Sequence, residues 1–264
     1  MRAINLYAIF FILFSPISHA EFAYIEINEK VSVPISKQCP GNTGILKLSE
    51  GGITIASDVG SAYRLLLDWL PENTELIMGH SSISSSCTLA VAYAKNDVNE
   101  SYSLFVYSQE SRRFIPSQIS TITNPDFSGG RILSNYRDAS LVHNDTLCFS
   151  ERLGDYFVCE RREQFHNSLE KLEICDDRLC STPYIVKAGS QDHAIGIITE
   201  KKTFFYDRVG EEEFSQRKGY LIKGDKAYLS DYVQTRDGLY YNVTFLGKKT
   251  VTGWIRSKAI DIDG

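Results

Sequence analysis

Six cysteines, Cys39, Cys87, Cys148, Cys159, Cys175 and Cys180, are the residues of this chain with the most chemistry to offer. Zinc would ask for paired Cys-x-x-Cys spacings or nearby histidines, and Cys175 and Cys180 have four residues between them with no second pair to match. Beyond residue 20 the histidines are His80, His143, His166 and His193, and none forms a His-Glu-x-x-His pair. "GHSSISSSC" (79–87) sets His80 beside serines without a Gly-x-Ser-x-Gly elbow, so it reads as a polar loop ending at a disulfide. Asp97-Val98-Asn99 has no following Gly and no distant bidentate acid, so calcium is not expected. No catalytic residue, metal or cofactor is therefore expected, and the chemistry left to the cysteines is cross-linking.

Cross-linking needs an oxidising compartment, and the first twenty residues provide the reason to expect one. "MRAINLYAIFFILFSPISHA" has Arg2, an apolar run from Ile4 to Phe14 and a small-residue end at Ser18-His19-Ala20, the pattern of a signal peptide. The run is shorter than the ~20 residues that cross a bilayer as a helix, so no membrane span is expected. The chain is expected to be periplasmic or secreted, starting near Glu21, with all six cysteines in disulfides. In "DTLCFSERLGDYFVCE" a two-residue turn at Leu153-Gly154 would set Cys148 opposite Cys159, at a separation a disulfide spans. Cys39 with Cys87 and Cys175 with Cys180 is the simplest completion, though sequence does not fix connectivity.

Charge narrows the partner. Beyond residue 20 there are 27 Lys+Arg and 33 Asp+Glu, a net of −6, which disfavours nucleic acid. Residues 193–264 carry 12 Lys+Arg and 10 Asp+Glu, a net of +2, which leaves −8 on residues 21–192. An acidic first part would steer towards a basic partner; ordinary solubility charge is the plainer explanation.

The elements that position these residues read almost entirely as strands. "FAYIEI" (22–27), "GILKL" (44–48), "TLAVAYA" (88–94), "YSLFVYS" (102–108), "TLCFS" (146–150) and "YFVCE" (156–160) are short and rich in β-branched and aromatic residues. Asn96 to Asn99 reads as a hairpin loop between two of them. "SAYRLLLDWL" (61–70) fits a short helix or a buried strand, and "REQFHNSLEKLEI" fits a hairpin turning at His166 to Ser168 better than a helix. The expectation is all-β: an antiparallel sandwich or propeller-like domain over 21–185, a linker or strand plus linker, and a small barrel over 193–264.

Within that last part Gly224-Asp225, Asp237-Gly238 and Gly247 punctuate five strand patterns, enough for a small closed barrel. In "LYYNVTF" alternation places Tyr241, Val243 and Phe245 inward and Tyr240, Asn242 and Thr244 outward. "GEEEF" (210–214) lies between strand patterns as a solvated loop, with contact of Glu211, Glu212 and Glu213 to a basic partner as the alternative.

Leu221-Ile-Lys-Gly-Asp225, the Ala227 to Leu229 strand, Tyr240-Tyr-Asn-Val243 and Gly253-Trp254-Ile255 occur in the order seen in bacterial SH3-like domains, which this quarter of the chain resembles. Tyr240 stands where those domains usually have Trp, and Ala227 is small. The resemblance implies an SH3-like barrel that binds cell-wall peptide or a protein surface, with Tyr206, Tyr240 and Trp254 as candidate groove residues; packing of Trp254 in the barrel end is the competing role. More faintly, "YSLFVYSQESRRF", "NPDF" (124–127) and the Cys148 hairpin resemble exported proteins that protect bacteria against cell-wall-degrading effectors. That implies a protein partner such as a secreted hydrolase. Peptidoglycan binding, localising the first domain at the wall, is the alternative.

Overall fold

The computed structural model describes residues 21–28, 30–49, 52–56, 62–65, 67, 70, 74–80, 86–127, 131–166 and 168–262. Residues 1–20, where a signal peptide was expected, and Ser81 to Ser85 of the serine-rich loop lie outside the described residues. The described chain is almost wholly β, in four antiparallel sheets.

β1 (Glu21–Ile27) is followed by β2 (Ser32–Pro34), a single helical turn α1 (Ile35–Gln38), β3 (Ile45–Ser49), β4 (Gly52–Ala56) and β5 (Tyr63–Arg64), of which β2–β5 form a four-stranded sheet. Tyr63 and Arg64 pair with Ile55 and Thr54, so the start of "SAYRLLLDWL" is a strand. β6 (Thr74–His80), β7 (Cys87–Lys95), β8 (Glu100–Ser108) and β9 (Arg113–Thr123) make a five-stranded sheet with β1, in the order β1-β6-β7-β8-β9. Lys95 pairs with Glu100 across the expected loop, where Asn96 Oδ1 accepts the Val98 and Asn99 amides.

This five-stranded sheet is buried on both faces, which is why β7 begins as a continuous apolar run. Leu76, Met78, Leu89 and Val91 pack with Leu46, Ile53 and Ile55 of the four-stranded sheet. Their neighbours Ile77, Ala90, Leu104 and Val106 point the other way, onto Ile132, Leu147 and Tyr156. The Cys39–Cys87 disulfide ties the first of these interfaces, and a Thr88 Oγ1 to Tyr156 Oη hydrogen bond of 3.0 Å crosses the second.

The third sheet is a simple meander of β10 (Pro125–Asp126), β11 (Ile132–Asp138), β12 (Leu141–Ser150), β13 (Asp155–His166), β14 (Leu169–Ile174) and β15 (Tyr184–Lys187). Cys148 and Cys159 are bonded, as are Cys175 and Cys180, yet the expected hairpin register is not the observed one. The turn between β12 and β13 leaves four residues outside the ladder, pairing Ser150 with Asp155 and Cys148 with Phe157. A bulge follows, because Leu147 faces Val158 while Thr146 faces Glu160. Cys159 is the extra residue, and the bend brings its Cα to 5.6 Å from that of Cys148. The β13–β14 hairpin reverses between His166 and Leu169, as expected.

The segment after Cys180 is ordered strand rather than free linker. β15 pairs with β14, Val186 bridges back to His193, and the Ala194 amide donates to Ile185 O at 2.8 Å. From there β16 (Ile195–Ile198), β17 (Lys202–Arg208), β18 (Phe214–Ile222), β19 (Lys226–Thr235), β20 (Gly238–Leu246), β21 (Thr250–Arg256), a 3-10 turn (Ser257–Ala259) and β22 (Ile260–Asp261) build the fourth sheet. Its order is β18-β17-β21-β20-β19-β16-β22, a curled half-barrel of seven strands where five were expected. β16 is a strand missed, and the chain reverses at Gly224, at φ 91°, between β18 and β19, which makes two strands of a segment counted as one pattern.

One apolar cluster spans the last two sheets, joining Leu169 and Ile185 to Leu229, Tyr241, Val243 and Ile255. Polar contacts reinforce it. Glu170 is buried against Arg162 (2.7 Å), Arg162 also donates to Ser190 O, and the Gly189 amide donates to Glu170.

Candidate functional site

The three aromatic residues singled out in the half-barrel come together. Tyr206 on β17 is the cross-strand partner of Trp254 on β21, and the Tyr206 ring meets Tyr240 of β20 edge-on at 5.9 Å. Phe214, the first residue of β18, lies flat on Tyr240 with centroids 4.1 Å apart and meets Trp254 at 5.8 Å. The tilted Phe214–Trp254 contact lies in the range preferred by aromatic pairs, while Phe214 and Tyr240 stack more closely.

Two arginines frame the cluster. The Arg256 guanidinium sits 5.9 Å from the Tyr206 and Tyr240 rings and donates to the Tyr240 hydroxyl at 3.1 Å, a contact that holds Arg256 above the ordinary guanidinium value. Arg208 lies 5.9 Å from Trp254 and donates to the carbonyls of Gly210 and Glu211. Those two bonds, with Val209 N to Glu213 O, shape the tip that delivers Phe214 onto the shelf. Glu211 to Glu213 are exposed on that tip, as expected, and Glu212 makes a contact of 3.5 Å to Arg236.

Tyr240 therefore does not face outward: it is 3% exposed and Trp254 9%. Strand alternation did send Tyr240 to the other side from Tyr241 and Val243, but Phe214 covers it there. Tyr206 and Phe214 are half-buried and form the accessible margin of the shelf. Such a surface can stack and hydrogen-bond; it holds no paired nucleophile and base.

Other residues capable of chemistry are placed differently. His166, Ser168, Ser257 and Asp261 share a cavity of about 250 Å³ between the third and fourth sheets, where His166 Nδ1 and Ser168 Oγ stand 3.5 Å apart. That is beyond the ~2.6–3.2 Å of a working base and nucleophile. Among the described residues one trio could present metal ligands, Glu173, Cys175 and Cys180, and both sulfurs are consumed by the Cys175–Cys180 disulfide.

Compared with protein-family models, curated proteins and solved structures, the chain matches none.

Phe214, Arg208 and Arg256 were missed in the sequence. The signal for Phe214 was an aromatic directly after an acidic turn, the one apolar residue of "GEEEF" that a solvated loop does not explain. Also unmarked was Phe165, which stacks on Tyr232 at 3.6 Å across the junction of the last two sheets.

Proposed function

We propose that this chain is an exported protein-binding protein that inhibits, or confers immunity against, a cell-wall hydrolase by occluding its cleft. The supporting observation is continuous backbone hydrogen bonding where a binding module would show a joint: β15 and β19 are bridged through Ala194, whose amide donates to Ile185 O and whose carbonyl accepts from Leu229 N. A preorganised surface loses little freedom on association, so more of the contact energy appears as affinity. The acidic part before residue 193 supplies long-range attraction to a basic partner. Three disulfides suit an oxidising compartment, and among the described residues no helix is long and apolar enough to cross a membrane.

The second reading is an SH3-like module that fixes the chain to peptidoglycan. The β19–β20–β21 meander, which carries Ala227 to Leu229, Tyr240 to Val243 and Gly253 to Ile255 on successive strands, supports such a barrel. Phe214 argues against an open ligand groove at Tyr240, because it already occupies that ring face. Assaying cell-wall hydrolases on purified sacculi with and without the chain distinguishes the two. Loss of lysis at one equivalent supports inhibition; sedimentation of the chain with undiminished lysis supports the wall-binding reading instead.

A further inference from the structure

β9 runs over the face of the third sheet, and between them is a half-open cavity of about 230 Å³. Ile122, Leu147 and Val158 give it apolar walls; Ser134, Tyr136 and Asp145 give it a polar end. The Asp145 carboxylate is only 13% exposed, and its Oδ1 is buried with no hydrogen-bond partner.

Arg161 forms an ion pair with this oxygen but no hydrogen bond, and the Ser134 hydroxyl is engaged elsewhere. Arg161 Nε is 3.6 Å away, too far for a hydrogen bond, while Arg161 Nη1 is 2.9 Å from Glu173. The Ser134 hydroxyl donates to Thr123 O and accepts the Thr123 amide. Burial holds the Asp145 carboxyl above the usual carboxylate value despite the opposing charges of Arg161 and His143. A carboxylate oxygen kept from water without a donor is costly, and such a group in a native fold calls for an explanation, of which a bound ion is one.

We propose that this cavity binds an alkylammonium cation, with the ammonium on Asp145 and the methylene stem against Ile122, Leu147 and Val158. At about 230 Å³ the space is below the ~300–1,000 Å³ of pockets for drug-sized ligands, and suits one side chain or a small amine. One carboxylate oxygen is buried and already faces Arg161, which leaves a single edge for a ligand cation; that suits the point charge of an ammonium better than a planar guanidinium, whose fork takes two carboxylate oxygens. The cation has two sources, a lysine side chain of a partner protein or a free primary amine. The site stands independently of the hydrolase reading.

The test is a titration of the disulfide-intact chain by two-dimensional amide NMR with n-butylamine hydrochloride, Nα-acetyl-lysine methylamide and the neutral analogue n-butanol. Saturable shifts are expected at Thr123, Ser134, Asp145 and Leu147, with half-saturation on the order of millimolar for so small a ligand. Binding at least tenfold weaker is expected for n-butanol, and for n-butylamine with Asp145→Asn. That variant removes a buried charge and keeps the shape, so unchanged shifts outside β9–β13 verify its fold. Saturation by butylamine alone supports the site and assigns it to free amines; saturation by the lysine amide as well supports it with a protein lysine as occupant. Equal binding of n-butanol, unchanged binding to Asp145→Asn, or no saturable shift with either cation overturns the proposal.

Discussion

Phe165 and Tyr232 lie face to face at 3.6 Å across the junction of the third and fourth sheets, and the Tyr232 hydroxyl donates to Glu163 at 2.7 Å. One residue thus supplies both an apolar and a polar tie between the acidic sheets and the half-barrel. Lys171 and Asp231, 2.8 Å apart, add a third contact beside it.

Tyr232→Phe keeps the stack and leaves Glu163 without this donor, so a loss of ~1–3 kcal/mol is expected. Tyr232→Ala removes the ring as well and should cost more, up to ~3–5 kcal/mol. Chemical denaturation monitored by the fluorescence of Trp69 and Trp254 together and by far-ultraviolet circular dichroism checks both. Coincident transitions are expected in the parent chain, since one apolar cluster spans the junction.

Alkaline pH should weaken the fold through its tyrosines. Burial first, then the Glu163 hydrogen bond, raises Tyr232, and burial with the Glu75 hydrogen bond raises Tyr102. Burial pushes Tyr156 up to about 12. Each folded value lies above the unfolded ~10, so this stabilisation is complete below pH ~10 and is lost as pH rises through the folded values. Stability measured from pH 8 to 12 should fall above pH ~10, and less steeply in Tyr232→Phe.

Asp145 has the same sign with a different consequence. Burial raises its folded value above that of an unfolded carboxyl, so its favourable contribution exists only at low pH and is absent once the group ionises. Asp145→Asn is therefore expected to be as stable as the parent or more stable at pH 7, with the advantage shrinking as pH falls through the raised folded value and gone near the unfolded ~4. Urea midpoints at the two pH values measure this. A marked destabilisation at pH 7 would show that the carboxylate has a structural role.

The disulfides differ in what they constrain. Cys39–Cys87 closes a separation of 48 residues and Cys148–Cys159 one of 11. Loop-closure entropy alone gives ~4 kcal/mol for the first and ~3 kcal/mol for the second. Paired replacement by alanine, followed by urea denaturation, should show that order. Peptide mapping without reduction should recover the linkages 39–87, 148–159 and 175–180.

Local chemistry explains what was readable in the sequence. The Asn96–Asn99 loop was legible because Asn96 itself makes the turn. The Cys148–Cys159 pair was legible as a partnership but not in register, since neither the longer turn nor the bulge at Cys159 carries a distinctive residue pattern. Gly154, at φ 63°, marked a turn without fixing its length. Aromatic types identified the shelf, whereas the exposure of Tyr240 depended on where Phe214 lands, a contact made across strands. Asp145 was missed for a related reason: alternation on β12 puts it on the same inward face as Leu147, and the polar residue on that face is enclosed by β9, a contact between distant strands.

The most direct measurement adds the intact chain, in steps up to one equivalent, to cell-wall hydrolases acting on purified sacculi, and follows lysis and sedimentation in the same tubes. The expected result for the target hydrolase is lysis falling in proportion to added chain, with the chain remaining in the supernatant with the enzyme. Full lysis of every hydrolase tested, with the chain pelleting on sacculi, would contradict the inhibitor reading and leave wall attachment in its place.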